Sequence, residues 1–202
     1  MADMGASGRR LPQGWPTTPT APPNRYRTPM TTLRPAEFSD APAIAAALVR
    51  NREHMRPWEP FRDEYFYTAD AQRERLSEAG ARRWLWVDGE RVVGQFTLSS
   101  IVLGPLCSGN LAYWVDAEYN GRGLATSGTG EICRIARDEL GLHRVEAGTV
   151  LHNHASQRVL RKAGFEEFGL APRFLHIDGE WRDHRLFQRI LHDGPPIGVP
   201  GR

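Results

Sequence analysis

The stretch Asn120-Gly121-Arg122-Gly123-Leu124-Ala125-Thr126 has the residue types to hold a charged ligand. An apolar, aromatic run, Leu111-Ala112-Tyr113-Trp114-Val115-Asp116, leads into it, and a helical pattern leaves it and continues to about Leu140. Gly121 and Gly123 remove side chains where backbone amides must converge. The start of a helix adds unpaired N–H groups and a partial positive charge, so the turn can hold an anion, most naturally a phosphate. Strand–glycine–helix turns also serve simple packing, and spacing alone leaves both readings open. Two further groups have chemistry within reach. Glu146, in a strand, can act as a base through a water or pair with an arginine. Asn153 and Ser156 stand three apart at a helix start, where Asn is a good N-cap and Ser a good third residue.

Two familiar phosphate loops do not fit the glycine turn. A dinucleotide fingerprint needs a third small residue where Thr126 stands and an acidic residue about 20 positions on. A Walker loop needs Gly-Lys-Ser/Thr, which is absent. The turn is similar to the acyl-CoA loop of the GNAT acetyltransferases, Gln/Arg-x-x-Gly-x-Gly/Ala, and reads here Asn120-x-x-Gly123-x-Ala125 with Asn in first place. Further landmarks follow in order: Gly141 to Ala147, His152 to Phe165 and Asp178 to His184. Together with Asn51 to Trp58 upstream, they resemble the RimJ/RimL-like branch, which acetylates protein N-termini, typically of ribosomal proteins. The likeness runs from roughly Leu33 to Leu191.

That resemblance implies an α/β GNAT fold, a mixed central sheet flanked by helices. It implies acetyl-CoA as co-substrate, no metal, and direct transfer in a ternary complex. Backbone of Trp114, Val115 and Asp116 would lie beside the pantetheine arm, and the amides of Gly121, Arg122, Gly123, Leu124, Ala125 and Thr126 around the pyrophosphate. Arg122 can add a charged contact or remain a solvated loop side chain. Asn153 would touch the cofactor arm, and Ser156 would stand near the thioester sulfur as general acid, a role compatible with capping. Trp58, Arg173 and Trp181 would face the acceptor, as would the loop from Gly104 to Gly109. Where some relatives carry a basic Glu this chain has Leu175, which leaves Glu146 as the carboxylate at hand. A peptide α-amine, with pKa near 7.7–8, loses its proton at pH 7 for about 1 kcal/mol, whereas a lysine near 10.4 costs over about 4. A site without a strong base therefore suits an N-terminus. Two rivals remain: the same fold with a small amine, aminoglycoside or lysine acceptor, and an acyl-CoA-binding protein without turnover, since Asn120 and Leu175 depart from the pattern.

These residues need elements to hold them. Thr31–Arg34 reads as a first strand, and Ser39 or Asp40 caps a helix whose apolar face is Ile44, Leu48 and Met55, with Ala45 and Val49 beside it. A second helix spans Ala69–Ala81. Trp84–Val87 and Val92–Leu98 flank Asp88-Gly89, a hairpin signal. Gly128 and Gly130 lie inside the central helix and weaken it by up to about 1 kcal/mol each, either for a close approach or by mere tolerance. Arg144–Val150 is the fifth strand, a helix follows Asn153 and stops at Gly164, and Glu167–Ile177 with Trp181–Ile190 form the last hairpin. The order is β-α-α-β-β-β-α-β-α-β-β.

At 202 residues the chain supports one domain. A net charge of +2 does not point to nucleic acid. Cys107 and Cys133 are too few for a disulfide framework or zinc site, and His152-x-His154 has no further ligand set beside it. Asp183-His184 imitates a catalytic dyad, yet neighbours in a strand point to opposite faces, and no Gly-x-Ser-x-Gly elbow is present. No apolar run approaches the ~18 residues of a membrane span, so a cytosolic protein is expected. Residues 1–29, rich in Pro, Gly, Thr and Ala, read as a disordered extension, Met30 as the start of a domain at 30–192, and 193–202 as a flexible tail. A protein N-terminus is the expected partner, and monomer and homodimer both stay open.

Overall fold

The computed structural model describes residues 31–195; the extension assigned to 1–29 and the tail from 196 onward lie outside them. The elements are β1 (Thr32–Pro35), α1 (Ala41–Met55), α2 (Ala69–Leu76), β2 (Arg82–Asp88), β3 (Arg91–Val102), β4 (Ser108–Val115), α3 (Leu124–Asp138), β5 (Arg144–Val150), α4 (His154–Lys162), β6 (Glu166–Ile177) and β7 (Glu180–Ile190). Their order is the one the sequence predicts. All seven strands form one sheet, β1-β2-β3-β4-β5-β7-β6. Only β4 and β5 run parallel; the other neighbours are antiparallel. Among the described residues no helix is long and apolar enough to cross a membrane.

One face of the sheet carries α3 and α4 over Phe96, Leu98, Leu111, Val145 and Phe187. The other carries α1 over Leu85 and Val92. Helix α1 buries Ile44, Ala45, Leu48 and Met55 as its spacing predicts, but Val49 is exposed, one position too far round the helix. Helix α2 starts at Ala69 as expected, capped by Thr68, whose Oγ1 accepts from the Ala71 N–H at 3.2 Å. It stops at Leu76 rather than Ala81. The Ser77 hydroxyl donates back to the Glu74 carbonyl at 2.6 Å, and Gly80 turns the chain at φ +82° into β2.

The two helical glycines have different reasons to be there. A Cβ on Gly128 would lie 2.2 Å from the Phe96 ring, so the missing side chain lets α3 settle onto the sheet. The close approach is to a core aromatic. Gly130 has nothing within 4 Å of that position, so packing does not require it.

The functional consequence of the sheet lies between β4 and β5. They pair over only three residues: Ser108 with Arg144, Gly109 with Val145 and Asn110 with Glu146. Beyond that each strand is held from its far side. β4 follows β3 to the pairing of Val115 with Gly94, and β5 follows β7 to that of Val150 with His184. The middle of the sheet therefore opens into a gap with a free strand edge on each side.

Candidate active site

The loop before α3 is fixed at its root by Asp116. Its side chain is almost fully buried and accepts from Arg50 Nε and Nη2 at 2.8 and 2.7 Å and from Arg91 at 3.0 Å. It also accepts from the Glu118 N–H at 3.0 Å, capping a short 3-10 turn at Ala117–Tyr119. Burial alone would raise the Asp116 carboxyl. The bonds from Arg50, the Glu118 amide and Arg91 outweigh it and hold the group below the usual carboxylate range. Asn51 Oδ1 accepts from the Ala117 N–H at 2.9 Å, and Trp86 Nε1 donates to the Leu124 carbonyl at 3.1 Å. Helix α1 and strand β2 thus pin the two ends of the loop.

Gly121 and Gly123 both sit at left-handed φ, +76° and +82°, with nothing within 4 Å of a Cβ on either. Gly123 is the N-cap of α3 and no side chain caps that helix. The first-turn N–H groups of Leu124, Ala125 and Thr126 therefore face an open cradle with the positive end of the helix behind it. This geometry suits a pyrophosphate. Arg122 turns away: its guanidinium donates to the Glu118 carbonyl at 2.9 Å and lies 4.5 Å from the Tyr119 ring centroid. Asn120, at the first position of the loop pattern, lies 3.3 Å from His54 Nε2.

At the gap, Asn153 and Ser156 divide two roles. Asn153 Oδ1 accepts from the Ser156 N–H at 3.0 Å, which caps α4 through the backbone. The Ser156 hydroxyl is left for another partner, the Tyr113 hydroxyl on β4 at 2.8 Å. Burial pushes the Tyr113 phenol up to about 12, partly offset by its bond to Ser156, so it stays protonated. Its ring stacks on Phe96 at 5.6 Å and 23°. Gly128, Phe96, Tyr113 and Ser156 thus form one packed series from α3 across the sheet to α4. The sequence reading left Tyr113 without a role; a lone phenol in an apolar strand was the only sign of it.

The remaining candidates fall on the other face or at the rim. Alternation along β5 puts Val145 and Ala147 in the α3/α4 core, so Glu146 faces the opposite side, 2.7 Å from Arg144. It lies in the part of β5 still paired to β4. Trp58, exposed after α1, lies tilted against His152 at 5.3 Å between ring centroids and so reaches the β5–α4 connection beside Asn153. Arg173 has φ +49°, and its N–H donates to Asp183 Oδ1 at 2.8 Å. Trp181 is exposed on β7 against His176, and Leu175 is exposed on β6 opposite Arg182. The 104–109 segment is elsewhere: the Cys107 carbonyl accepts from the His143 and Arg144 N–H groups, tying it to the closed end of the β4–β5 pair. Asp183 and His184 diverge as expected, the first toward Arg173 and the second buried. Among the described residues no cluster of three or more His, Cys, Asp or Glu can hold a metal.

Residues 31–166 match the family model for the acetyltransferase (GNAT) domain. The [ribosomal protein uS5]-alanine N-acetyltransferase of Escherichia coli (strain K12) is 29% identical over 184 residues, 87% of this chain and 95% of that one. Among solved structures, the ribosomal-protein-S5-alanine acetyltransferase of Vibrio fischeri superposes with a TM-score of 0.77 at 31% identity, covering 81% of this chain and 94% of that one. The RimJ protein of Mycobacterium smegmatis, in complex with CoA-disulfide, superposes with a TM-score of 0.73 at 29% identity, over 79% and 81%. The split sheet and the open glycine turn thus stand where the family match falls: the chain belongs to the GNAT acetyltransferase family and is an N-acetyltransferase.

Proposed function

We propose that this enzyme transfers the acetyl group of acetyl-CoA directly to the N-terminal α-amine of a protein or peptide, a ribosomal protein among the candidates. The observation that carries the acceptor class is the likeness to the S5-alanine acetyltransferases over nearly their whole length, 94–95%. The site's chemistry agrees with it. When bound, acetyl-CoA supplies an activated acyl thioester. The edge of β4 at Trp114, Val115 and Asp116 offers main-chain groups to the pantetheine arm, and the amides from Gly121 to Thr126 receive the pyrophosphate. Asn153 lines the arm while capping α4. Ser156 gives its proton to the departing sulfur and is reprotonated from Tyr113, whose phenol is protonated at neutral pH and regains its proton from water. Glu146 stands on the acceptor side, and Trp58, Arg173 and Trp181 surround the entrance. The work is done in the cytoplasm.

The test is acetyl-CoA turnover across short peptides beginning with Ala, Ser or Met, with blocked N-termini, internal lysines, small amines and aminoglycosides as comparators. Free α-amines are expected to react fastest. Equal rates for blocked lysine peptides or aminoglycosides would overturn the acceptor assignment.

A further inference from the structure

On the face of the sheet opposite α3 and α4, the strands beyond the gap carry a cluster that the steps above do not use. A Cβ on Gly148 would meet His184 Cδ2 at 3.6 Å, Leu186 Cδ2 at 3.8 Å and Phe174 Cε1 at 4.0 Å. Glycine therefore leaves a methyl-sized recess on β5, bordered by those three side chains at ordinary contact distance. It lies two residues past Glu146, the last β5 residue paired to β4, and so borders the open gap. Ser156 and Tyr113 serve the gap from the other face.

One wall of the recess is delivered by a bulge. β6 loses register between Ala171 and Leu175, which leaves Pro172, Arg173 and Phe174 outside the ladder. The left-handed conformation of Arg173 is unfavourable for a side chain with a Cβ. Its N–H bond to Asp183 holds it there. The turn brings the Phe174 ring 5.2 Å from His184. Pairing places His184 opposite Val150, the final residue of β5.

His184 is 4% exposed, and its Nδ1 lies 3.1 Å from the Arg182 carbonyl. A carbonyl only accepts, so Nδ1 carries the proton and Nε2 keeps its lone pair. Among the described residues Nε2 makes no hydrogen bond. Burial lowers the pKa, against smaller raising effects of the Arg182 carbonyl and the Asp183 charge, so the ring is neutral at pH 7. The charged groups beside it are Arg182, Asp183 and Arg185 on its own strand and Arg173 on β6, whose N–H is bonded to Asp183; Glu146 lies further along β5, opposite Gln188 and paired with Arg144.

We infer that His184 is the proton acceptor for the incoming amine, reached directly or through one water over Gly148. The inference rests on the transfer to an amine proposed above and deepens it. An N–H bond of the ammonium breaks and an Nε2–H bond forms. The freed lone pair makes the C–N bond, the C–S bond breaks, and the sulfur takes the Ser156 proton on the far face. The acylated nitrogen loses its second proton to water, and the Ser156–Tyr113 pair takes one back from water. The imidazolium then returns its proton to water. An imidazole held below its ordinary value lies nearer in proton affinity to an α-ammonium near 7.7–8 than to a lysine near 10.4, so it suits an α-amine better.

The test compares wild type with His184→Gln, using acetyl-CoA and a free-N-terminus peptide from about pH 6 to 9. Kcat/KM is expected to fall by roughly 10²-fold at pH 7, the usual scale of a general base. The deficit should shrink as the amine deprotonates itself at higher pH, while the acetyl-CoA thermal shift stays that of wild type. Added imidazole should restore rate to His184→Gly. A His184→Gln profile parallel to wild type, or imidazole without effect, overturns the assignment of the base alone. A wild-type enzyme that binds acetyl-CoA and acetylates no amine overturns the acceptor reading and this one with it. If the variants do not fold, 15N NMR of wild-type His184 decides. An Nδ1–H tautomer titrating with the acidic limb of kcat/KM supports the role, and any other tautomer or midpoint refutes it.

Discussion

Gly128→Ala is the sharpest test of the packed series that ends at Ser156. Ordinary contact begins near 3.4 Å, and the new Cβ would stand 2.2 Å from Phe96 Cζ, so ring or helix must retreat by about 1.2 Å. Phe96 is fully buried and has no free direction to take. Overpacking of this kind costs about 1–3 kcal/mol, and the depth of the clash puts it at the upper end. The better helix propensity of Ala returns about 1 kcal/mol. The net loss is about 2 kcal/mol, or roughly 4–8 °C in Tm for a domain of this size. Gly130→Ala, two positions along the same helix with nothing within 4 Å, keeps the propensity gain and should raise Tm by about 2–4 °C. Because Phe96 stacks on Tyr113, Gly128→Ala should also lower kcat at temperatures where it is folded, and Phe96→Leu in the same chain should restore part of both losses. Calorimetry and steady-state kinetics on the four proteins suffice. Equal Tm shifts for the two alanine variants would refute the close approach of α3 to Phe96.

Ser156→Ala should lower kcat by roughly 10²-fold with little loss of stability, because the cap of α4 runs through the residue 156 backbone; Asn153→Ala should instead cost about 1 kcal/mol in Tm measurements. Tyr113→Phe should slow the enzyme by the same factor at every pH from about 6 to 9, since the phenol titrates only near pH 12, and a pH-dependent defect would refute its role as a protonated donor. Acetyl-CoA at about 100 Kd should stabilise the folded state by about 2.7 kcal/mol, and Gly123→Asp should abolish most of that shift by adding charge to the cradle; an unchanged shift refutes the loop assignment. Asp116 has a folded pKa below its unfolded one, so its stabilisation is full above about pH 4 and fades as pH falls through the folded value. Asp116→Asn should cost about 2 kcal/mol at pH 7, below the 3–5 of a fully buried pair because both arginines are one-third exposed, and the difference in Tm from wild type should narrow in acid.

Much of the fold was legible because the signals that define it are local. Helix α1 has a 3.6-residue stripe, Asp88-Gly89 makes a hairpin, and Gly164 ends α4 at φ +82°. Errors came where a local pattern was extended past what closes it. Ala69–Ala81 has helical composition throughout, yet the Ser77 hydroxyl competes for a helix carbonyl and Gly80 leaves the helical region. The strand ends were misjudged for the converse reason. β3 runs to Val102, four residues beyond the apolar run, because pairing with β4 continues through polar Ser99.

The site divides along the same line. A phosphate cradle made of consecutive residues can be read from spacing, and Gly121 and Gly123 do adopt the left-handed angles that make them glycine. The gap that gives the cradle something to continue into cannot. It exists because β4 is hydrogen-bonded to β3, and β5 to β7, further along than they are to each other, which is a property of pairs distant in sequence. The hydroxyl partner of Ser156 is equally hidden. Tyr113 and Ser156 are 43 residues apart and meet only after the strands have diverged and α4 has folded back across one of them. On the face opposite α3 and α4, Phe174 and His184 look like unrelated hairpin residues until a bulge takes three positions out of register and turns Phe174 onto the imidazole. In a sheet, where side chains alternate strictly, such a bulge re-aims a side chain toward the neighbouring strand.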